Sequence, residues 1–323
     1  MLRSMYSGIS GMRGFQTKLD VIGNNIANVN TSGFKKGRVT FQDMMSQTTR
    51  GAQAATDGRG GINPMQVGLG SKVGSIDNIH TQGFTQTTGS GLDLAIEGNG
   101  MFLVTDGTME YYTRAGNFYL DEDGDIVNAD GYNLRGYASE EAREFEYEGS
   151  IIKIDLDGNI REGEAEGINI VYDSALDQVT VDGNIVESKV SDVISDNLIT
   201  NLNLPLELES FSISTDGKVN YVDENGIPRV AGQILLANFS NPAGLEKVGN
   251  NLYLDSANAG FGGLGVPEED GMGKTVASAL EMSNVDLAEE FTEMIVSQRG
   301  FQANTRIITT SDEILQELVN LKR

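Results

Sequence analysis

Apolar residues at the two ends of the chain recur with a helical period, and this pattern limits the fold more than any other feature. At the N-terminus the gaps are three and four residues, and the stripe consists of Leu2, Met5, Ile9, Met12, Phe15, Leu19, Ile22, Ile26 and Val29. At the C-terminus the spacing is seven residues, at Leu280, Leu287, Met294, Phe301, Ile308 and Leu315, and the stripe is widened by Phe291, Leu318 and Val319. Each pattern predicts an amphipathic helix, and the seven-residue repeat is typical of helices that wrap against other helices.

The N-terminal helix is expected to be marginal on its own. Its glycines each lower helix stability by about 1 kcal/mol relative to alanine, and they are Gly8, Gly11, Gly14 and Gly23. At the start of the C-terminal helix, Asp286 and Glu289 predict a capping box. Neither helix has enough apolar partner surface within the chain, so we expect both to pack against copies of the chain.

Between the ends, the signals change to short β-strands. Asp-Gly and Asn-Gly pairs, which type I′ hairpin turns favour, occur at 106–107, 123–124, 130–131, 157–158, 182–183, 216–217 and 225–226. They separate short apolar runs such as LDLAI (92–96) and GQILLANF (232–239). The middle of the chain is therefore predicted to consist of antiparallel hairpins.

These patterns predict an α+β fold. The N- and C-terminal amphipathic helices form an inner coiled-coil-like domain, and the middle of the chain forms β-rich domains. A composition shift near residue 138 starts an acidic block that resembles an insertion. The expected regions are 1–30 with 283–323 as the inner helical domain, 31–75 as a linker, 76–137 with 204–282 as a β-rich domain, and 138–203 as a small acidic outer β domain.

Charge and composition exclude several function classes. The formal net charge of −24 argues against nucleic-acid binding, because a phosphate backbone would be repelled. The chain has no Cys, so it has neither disulfides nor a thiolate metal site. No run of about 20 apolar residues predicts a membrane span, and the first residues lack the apolar core of a cleaved signal peptide.

Chemical motifs in the sequence do not support catalysis or a cofactor. GMGKT (271–275) resembles the end of a phosphate loop, but Glu268 stands where that loop needs its first glycine. DEDGDIVNADG (121–131) has its glycine in the fourth place, while an EF-hand needs it in the sixth, so a hairpin turn is the better interpretation. His80 is the only histidine, and no G-x-S-x-G nucleophile pattern accompanies it. We therefore predict no catalytic residue, no metal ligand and no cofactor.

The stretch GNNIANVNTSGFKK (23–36) is predicted to end the first helix and begin the linker. Asparagine side chains satisfy backbone groups at helix ends and tolerate left-handed geometry. Gly33 permits the turn, and Phe34 anchors the exit. The predicted hinge residues are Asn25, Asn28, Thr31, Gly33 and Phe34.

Three stretches carry a resemblance to one family. LDVIGNNIANVNTSGFKK (19–36) resembles the N-terminal signature of the bacterial flagellar rod and hook axial proteins, and SNVDLAEEFTEMIVSQRGFQANTRIITTSDEILQELVNL (283–321) resembles their C-terminal signature. TGSGLDLAIEGNGMFLV (88–104) with YYTRAGNF (111–118) is similar to the family's first β domain. Within the family, residues 298–315 are most similar to those of hook proteins. The short acidic insertion indicates a compact hook subunit of the kind found in Gram-positive bacteria.

The resemblance implies a structural subunit, not an enzyme. Copies of the chain would polymerise into a curved, flexible hollow tube that transmits torque from rod to filament. The implied partners are other copies, the distal rod protein, the hook cap, the hook-filament junction protein and the type III export apparatus. Export would occur without a cleaved signal, to the extracellular hook and basal-body region of the flagellum.

Under this interpretation the apolar stripes become polymerisation surfaces. On the N-terminal helix the predicted residues are Leu2, Met5, Ile9, Met12, Leu19, Ile22 and Ile26. On the C-terminal helix they are Leu287, Phe291, Met294, Phe301, Ile308, Leu315 and Leu318. Two alternatives stay open at this point: a straight distal rod subunit of the same family, and a secreted acidic adhesin or calcium-binding surface protein.

Overall fold

The computed structural model describes residues 2–54, 59–147, 150–155, 160–162, 170–173, 178–181, 184–186, 189–206, 208–224, 226–269 and 271–321. It divides into two compact units, residues 1–81 with 283–323 and residues 82–282. Both terminal helices belong to the first unit, and the second is rich in strands. The predicted α+β class is confirmed.

The first unit contains two long helices and two small antiparallel ladders. The helices are α1 (Leu2–Ala27) and α2 (Leu287–Leu321). The strands are β1 (Gly37–Asp43), β2 (Ser46–Arg50), β3 (Met65–Gly68) and β4 (Ser71–Asn78), with β1 paired to β4 and β2 paired to β3. Residues 31–75 thus carry strands, and their role as a linker stays a prediction.

The start of α2 has a simpler cap than the sequence predicts. Asp286 Oδ1 accepts hydrogen bonds from the backbone N–H groups of Ala288 (2.8 Å) and Glu289 (3.3 Å). The Glu289 carboxylate does not return to the cap, because it lies 2.8 Å from the Lys36 ammonium. Asp286 is therefore an N-cap residue, and the predicted capping box was wrong in its second half.

The second unit is built from short strands and one 3₁₀ turn (Pro242–Gly244). The strands are β5 (Thr85–Thr87), β6 (Leu94–Glu97), β7 (Met101–Thr105), β8 (Glu110–Thr113), β9 (Phe118–Leu120), β10 (Ile126–Asn128), β11 (Asn133–Tyr147), β12 (Ser150–Asp155), β13 (Ile160–Glu162), β14 (Ile170–Asp173), β15 (Gln178–Val181), β16 (Asn184–Val186), β17 (Lys189–Asn201), β18 (Leu208–Ile213), β19 (Lys218–Asp223), β20 (Pro228–Ile234), β21 (Leu236–Phe239), β22 (Glu246–Gly249), β23 (Leu252–Leu254), β24 (Phe261–Gly265), β25 (Lys274–Ala277) and β26 (Ala279–Glu281).

The largest sheet runs in the order β18-β19-β20-β11-β7-β8-β23-β22, with further strands attached beside it. Strands β6 and β7 are buried along almost their whole length, so they form the centre of the core. Phe102 and Phe118 pack edge to face there, with ring centroids 5.4 Å apart. This core explains why apolar runs such as MFLVT are nearly continuous rather than alternating.

Two long strands lead into and out of the acidic block. β11 and β17 pair antiparallel from Arg135–Asn201 to Glu144–Lys189. A separate small core lies there, formed by Phe145 of β11, Ile152 and Ile154 of β12, and Val179 and Val181 of β15. The described part of the predicted outer domain, 138–203, is thus joined through continuous strands, and the remaining residues of that block lie outside the described ones.

The hairpin turns are of a different type from the one predicted. In the described pairs at 106–107, 123–124, 130–131 and 216–217, the positive φ falls on the glycine alone, with values of 80° to 88°. At 121–125, Asp121 N–H bonds to Asp125 O (3.0 Å) and Gly124 N–H bonds to Asp121 O (3.0 Å), which is a type I turn followed by a glycine bulge. The type I′ prediction was therefore wrong for these pairs, while the prediction of a hairpin turn at 121–131 is confirmed. The pairs at 157–158 and 182–183 lie outside the described residues.

Candidate functional site

α1 and α2 pack side by side in opposite directions. Their side-chain contacts form a ladder, whose rungs are Ser4–Ser311 (Oγ to Oγ, 3.5 Å), Met12–Thr305 (Sδ to Oγ1, 3.3 Å), Lys18–Glu293 (Nζ to Oε2, 3.0 Å) and Asn25–Glu290 (Nδ2 to Oε2, 3.2 Å). Residue numbers rise along α1 as they fall along α2. The helix pair is therefore antiparallel and extends over most of α1.

Glycines allow the two helices to approach closely. A Cβ atom added to Gly11 would lie 2.7 Å from Asn304 Nδ2, and one added to Gly300 would lie 2.6 Å from the Phe15 ring. At Gly23, by contrast, an added Cβ would meet nothing within 4 Å. Gly11 and Gly300 therefore have a packing role. For Gly11 the sequence pattern alone indicated only a loss of helix stability.

The predicted polymerisation residues fall into two groups in the structure. Those that are buried or half-buried in the monomer are Met5, Ile9, Met12, Leu19, Ile22, Ile26, Met294, Phe301, Ile308 and Leu315. Those that are exposed to 40% or more are Leu287, Phe291 and Leu318. The side chain of Leu2 lies outside the described residues. The helix pair thus buries one part of the apolar stripe and exposes another, and the role of both in polymerisation stays a prediction.

The exit from α1 is held by asparagine side chains. Asn28 Nδ2 donates to the backbone oxygen of Asn24 (2.9 Å) and to its Oδ1 (2.8 Å), and Thr31 Oγ1 donates to Asn28 Oδ1 (3.2 Å). Gly33 then has a φ of 70°, in the left-handed region that favours glycine. Phe34 is buried, with 7% of its surface exposed. The predicted hinge residues Asn28, Thr31, Gly33 and Phe34 thus all contribute to one turn.

Asn25 is the central residue of this region. Its Nδ2 donates to Gly37 O and its Oδ1 accepts from Gly37 N–H, both at 2.9 Å. The same Nδ2 also donates to Glu290 Oε2. The buried side chain therefore ties the last turn of α1 to the first residue of β1 and to α2.

A second set of hydrogen bonds surrounds the Asn25 side chain. Asn284 Oδ1 accepts from Lys36 N–H (2.8 Å), and its Nδ2 donates to Ile79 O (2.8 Å). Lys35, which is 2% exposed, donates from Nζ to Thr81 O (2.8 Å). The chain leaving α1, the end of β4 and the start of α2 are thus fixed together. Sequence reasoning missed Asn284, and its position two residues before the Asp286 cap was the only signal.

Glu290 is a buried carboxyl group in this network. Burial raises its pKa above the ordinary value of 4.5, and the hydrogen bond from Asn25 and the positive charge of Lys36 oppose the rise. The nearby carboxylates of Glu293 and Glu289 add to the rise. Glu290 therefore makes this junction sensitive to pH.

In the second unit, a buried ion pair holds several loops together. Arg114 Nε donates to Glu281 Oε2 at 2.5 Å, and both side chains are almost fully buried. The Arg114 guanidinium also donates to the backbone oxygens of Ile96, Gly98 and Gly100. Sequence reasoning missed this pair, since isolated charged residues in an acidic chain give no signal of burial.

The described part of the chain shows no arrangement of His, Asp and Glu side chains that could hold a metal ion. No described helix has the length and apolar character to span a membrane. The Lys274–Ala277 segment after GMG is strand β25, paired with β6, rather than the helix that follows a phosphate loop.

Comparisons with known proteins agree with this description. Three family models match: "Flagella basal body rod protein" over residues 5–35, "Flagellar hook protein FlgE/F/G D1 domain" over 95–221, and "Flagellar basal body rod FlgEFG protein C-terminal" over 276–321. The flagellar basal-body rod protein FlgG of Bacillus subtilis is 48% identical, and the alignment covers all of both chains. The flagellar hook proteins FlgE of Borreliella burgdorferi and Treponema pallidum are 36% and 31% identical, again over all of both chains.

A pair of terminal helices with an exposed apolar side, in a chain whose second unit is rich in strands, is typical of a structural subunit. The chain belongs to the family of flagellar hook and basal-body rod proteins. This family is structural and not enzymatic.

Proposed function

We propose that the chain is the subunit of the flagellar hook, and that its copies assemble into a curved, flexible hollow tube that carries torque from the rod to the filament. The observation that carries this proposal is the antiparallel α1–α2 pair with large apolar side chains still exposed, including Phe291, Ile295 and Leu318. An apolar surface of this kind needs a partner. Contacts between unlike surfaces of identical subunits give an open helical polymer when the rotation between neighbours does not close a ring.

Two further observations are consistent with a hook subunit. Hook proteins are among the relatives that match along the whole chain. In addition, the antiparallel strands β11 and β17 extend the second unit into the acidic block, 138–203, which has its own small core. Acidic outer surfaces repel each other and therefore touch only weakly, so they can slide as a tube bends while the apolar helices hold it together.

The distal rod is the second candidate, because a specific observation favours it. The Bacillus subtilis relative that is 48% identical is named as a basal-body rod protein. A rod subunit would use the same helix pair for assembly, but its polymer would be straight and rigid.

The proposal extends to location and partners. The subunit would be exported through the flagellar type III apparatus without a cleaved signal and would lie outside the cell, in the hook and basal-body region. Its main partner would be other copies of itself. The distal rod protein, the hook cap and the hook-filament junction protein would contact the ends of the polymer.

A deletion of the gene in the source bacterium tests the proposal, with electron microscopy of isolated basal bodies as the readout. Complete rods without hooks support the hook subunit. Basal bodies with shortened rods support the distal rod. Normal flagella in the deletion strain contradict both, and restoration by the unaltered gene is the control.

A further inference from the structure

An open apolar groove lies in the first unit, beside α1. It has a volume of about 580 Å³ and is lined by side chains from α1 and from the β1–β4 region. The lining residues that matter here are Tyr6, Ile9, Arg13, Met44, Lys72 and Val73. We call this feature the α1 groove.

The α1 groove and α2 lie on opposite sides of α1. Residues that meet α2 include Ser4 and Lys18, and those that line the groove include Tyr6, Ile9 and Arg13. With about 100° of rotation per residue, the two sets point in nearly opposite directions. Because α2 is held on its own side, it cannot fill the groove of the same copy.

The groove combines apolar walls with positive charge. Arg13 and Lys72 line it, and its lining contains no acidic residue. Within the described part of the chain, neither cation has an ion-pair partner. The groove is therefore suited to an apolar segment that carries negative charge.

The last turns of α2 have this character. A row of exposed apolar side chains follows one side of the helix, and its members are Ile307 (45% exposed), Ile314 (43%), Leu318 (50%) and Leu321 (83%). We call it the α2 row. Glu313 and Glu317 lie next to it, and neither carboxylate has an ion-pair partner among the described residues. The charged residues between 311 and 321 are all acidic, and the basic residues Lys322 and Arg323 follow them in sequence.

We propose that the α1 groove of one copy binds the α2 row of a second copy, with Arg13 and Lys72 facing Glu313 and Glu317. The proposal rests on the proposed assembly of identical subunits and identifies one of the contacts that drive it. The groove and the row are different surfaces, so each copy can bind one neighbour through its groove and another through its row. Repetition of this contact adds one copy after another, which is what an axial polymer requires.

Disulfide trapping tests the contact, since the chain has no cysteine of its own. Val73→Cys places one thiol in the groove and Leu318→Cys places one in the row. Cells of the source bacterium that lack the natural gene express the two variants from separate, differently tagged copies. Hook and basal-body structures are isolated, oxidised mildly and analysed on non-reducing gels for a product that carries both tags.

The matched control replaces Leu318→Cys by Val296→Cys, which is also an exposed apolar residue of α2. A disulfide needs Cα atoms within about 7 Å, so we expect the Val73–Leu318 product to exceed the Val73–Val296 product by about tenfold. Equal yields, in structures that contain both variants, would overturn the groove contact and leave the proposed function intact. Absence of the unaltered chain from the isolated structures would overturn both.

A chain that carries both Val73→Cys and Leu318→Cys, diluted into excess unaltered chain, distinguishes a contact between two copies from a contact within one copy. The proposal predicts that the cross-linked dimer decreases with dilution. A cross-link that forms within one chain would show that the row fills its own groove, and this result would overturn the proposal.

Charge exchange gives a second readout that does not depend on thiol chemistry. Arg13→Glu or Glu317→Arg alone should reduce incorporation into the isolated structures by about tenfold, because like charges then face each other. The chain with both changes should regain incorporation, since each groove again meets a row of opposite charge. No recovery in a double variant with a normal circular dichroism spectrum would contradict the contact.

Discussion

Asn25 and Gly37 exchange two hydrogen bonds of 2.9 Å, so a side-chain amide pairs with a backbone peptide in the same way as two strand residues pair. The pair joins the end of α1 to the start of β1, and Glu290 accepts a third hydrogen bond from the same amide. The polar stretch after α1 is therefore an ordered junction, and the asparagine that carries it is 2% exposed.

Replacing Asn25 with Asp should destabilise the first unit by about 2 kcal/mol, because a buried carboxylate cannot donate to Gly37 O and would face Glu290. The loss should appear as a lower midpoint of thermal unfolding, followed by circular dichroism at 222 nm. Asn24→Asp is the matched control, since Asn24 is exposed and its Oδ1 only accepts a hydrogen bond. Equal effects of the two changes would show that the buried hydrogen bonds of Asn25 do not stabilise the first unit.

Glu290→Gln should raise stability at neutral pH relative to the unaltered chain. The pKa of the folded Glu290 is raised above 4.5, so its stabilising contribution is fully present below that value and is lost as pH rises through the folded pKa. The glutamine keeps an oxygen for Asn25 and has no charge to lose. The advantage of the variant should therefore grow between pH 4 and pH 7 in thermal melts, and a difference that is constant over this range would contradict the assignment.

Gly33 tests the turn after α1. Its φ of 70° is strained for residues with a side chain, so Gly33→Ala should cost about 1 kcal/mol and the β-branched Gly33→Val more. Both changes should impair motility on soft agar, in proportion to the stability that each one loses. Gly23→Ala is the matched control: it lies within α1 with open space around it, and it should stabilise the helix by about 0.5–1 kcal/mol. Normal motility of Gly33→Val would contradict the role of the turn.

The buried ion pair of the second unit should matter far more than an exposed pair of the same type. Glu281→Gln leaves Arg114 buried without a counter-charge, and the expected loss of unfolding free energy is about 3 kcal/mol. Glu97→Gln, which breaks the exposed pair with Lys274, should change stability by less than about 1 kcal/mol. Urea unfolding of both variants, with tyrosine fluorescence as the signal, measures the difference; similar losses would contradict the burial argument.

Local patterns in the sequence predicted the helices and the hairpins because each depends on neighbouring residues. The three- and four-residue spacing of apolar side chains located α1, and Asp286 located the start of α2. Glycine after aspartate located turns but not their type, since type I turns with a glycine bulge also need positive φ at glycine. The hairpin at Asn250 and Asn251, where both residues have positive φ, contains no Asp-Gly or Asn-Gly pair and was missed.

The junction could not be predicted in the same way. Asn25 was expected to act at a helix end, but its partner Glu290 lies 265 residues away in sequence. Spacing in a single sequence carries no signal for such a contact. Similarly, Gly11 was predicted only to lower the stability of its helix, and Gly300 was not singled out. Their close packing against Asn304 and Phe15 is seen only when the two helices are paired.

The chain is proposed to be built into the axis of the flagellum, in the hook. Immunogold labelling of isolated hook and basal-body structures, with antibodies raised against the purified chain, tests this placement most directly. We expect gold particles along the curved hook. Label confined to the straight rod would support the distal rod instead, and axial structures without label would contradict both placements.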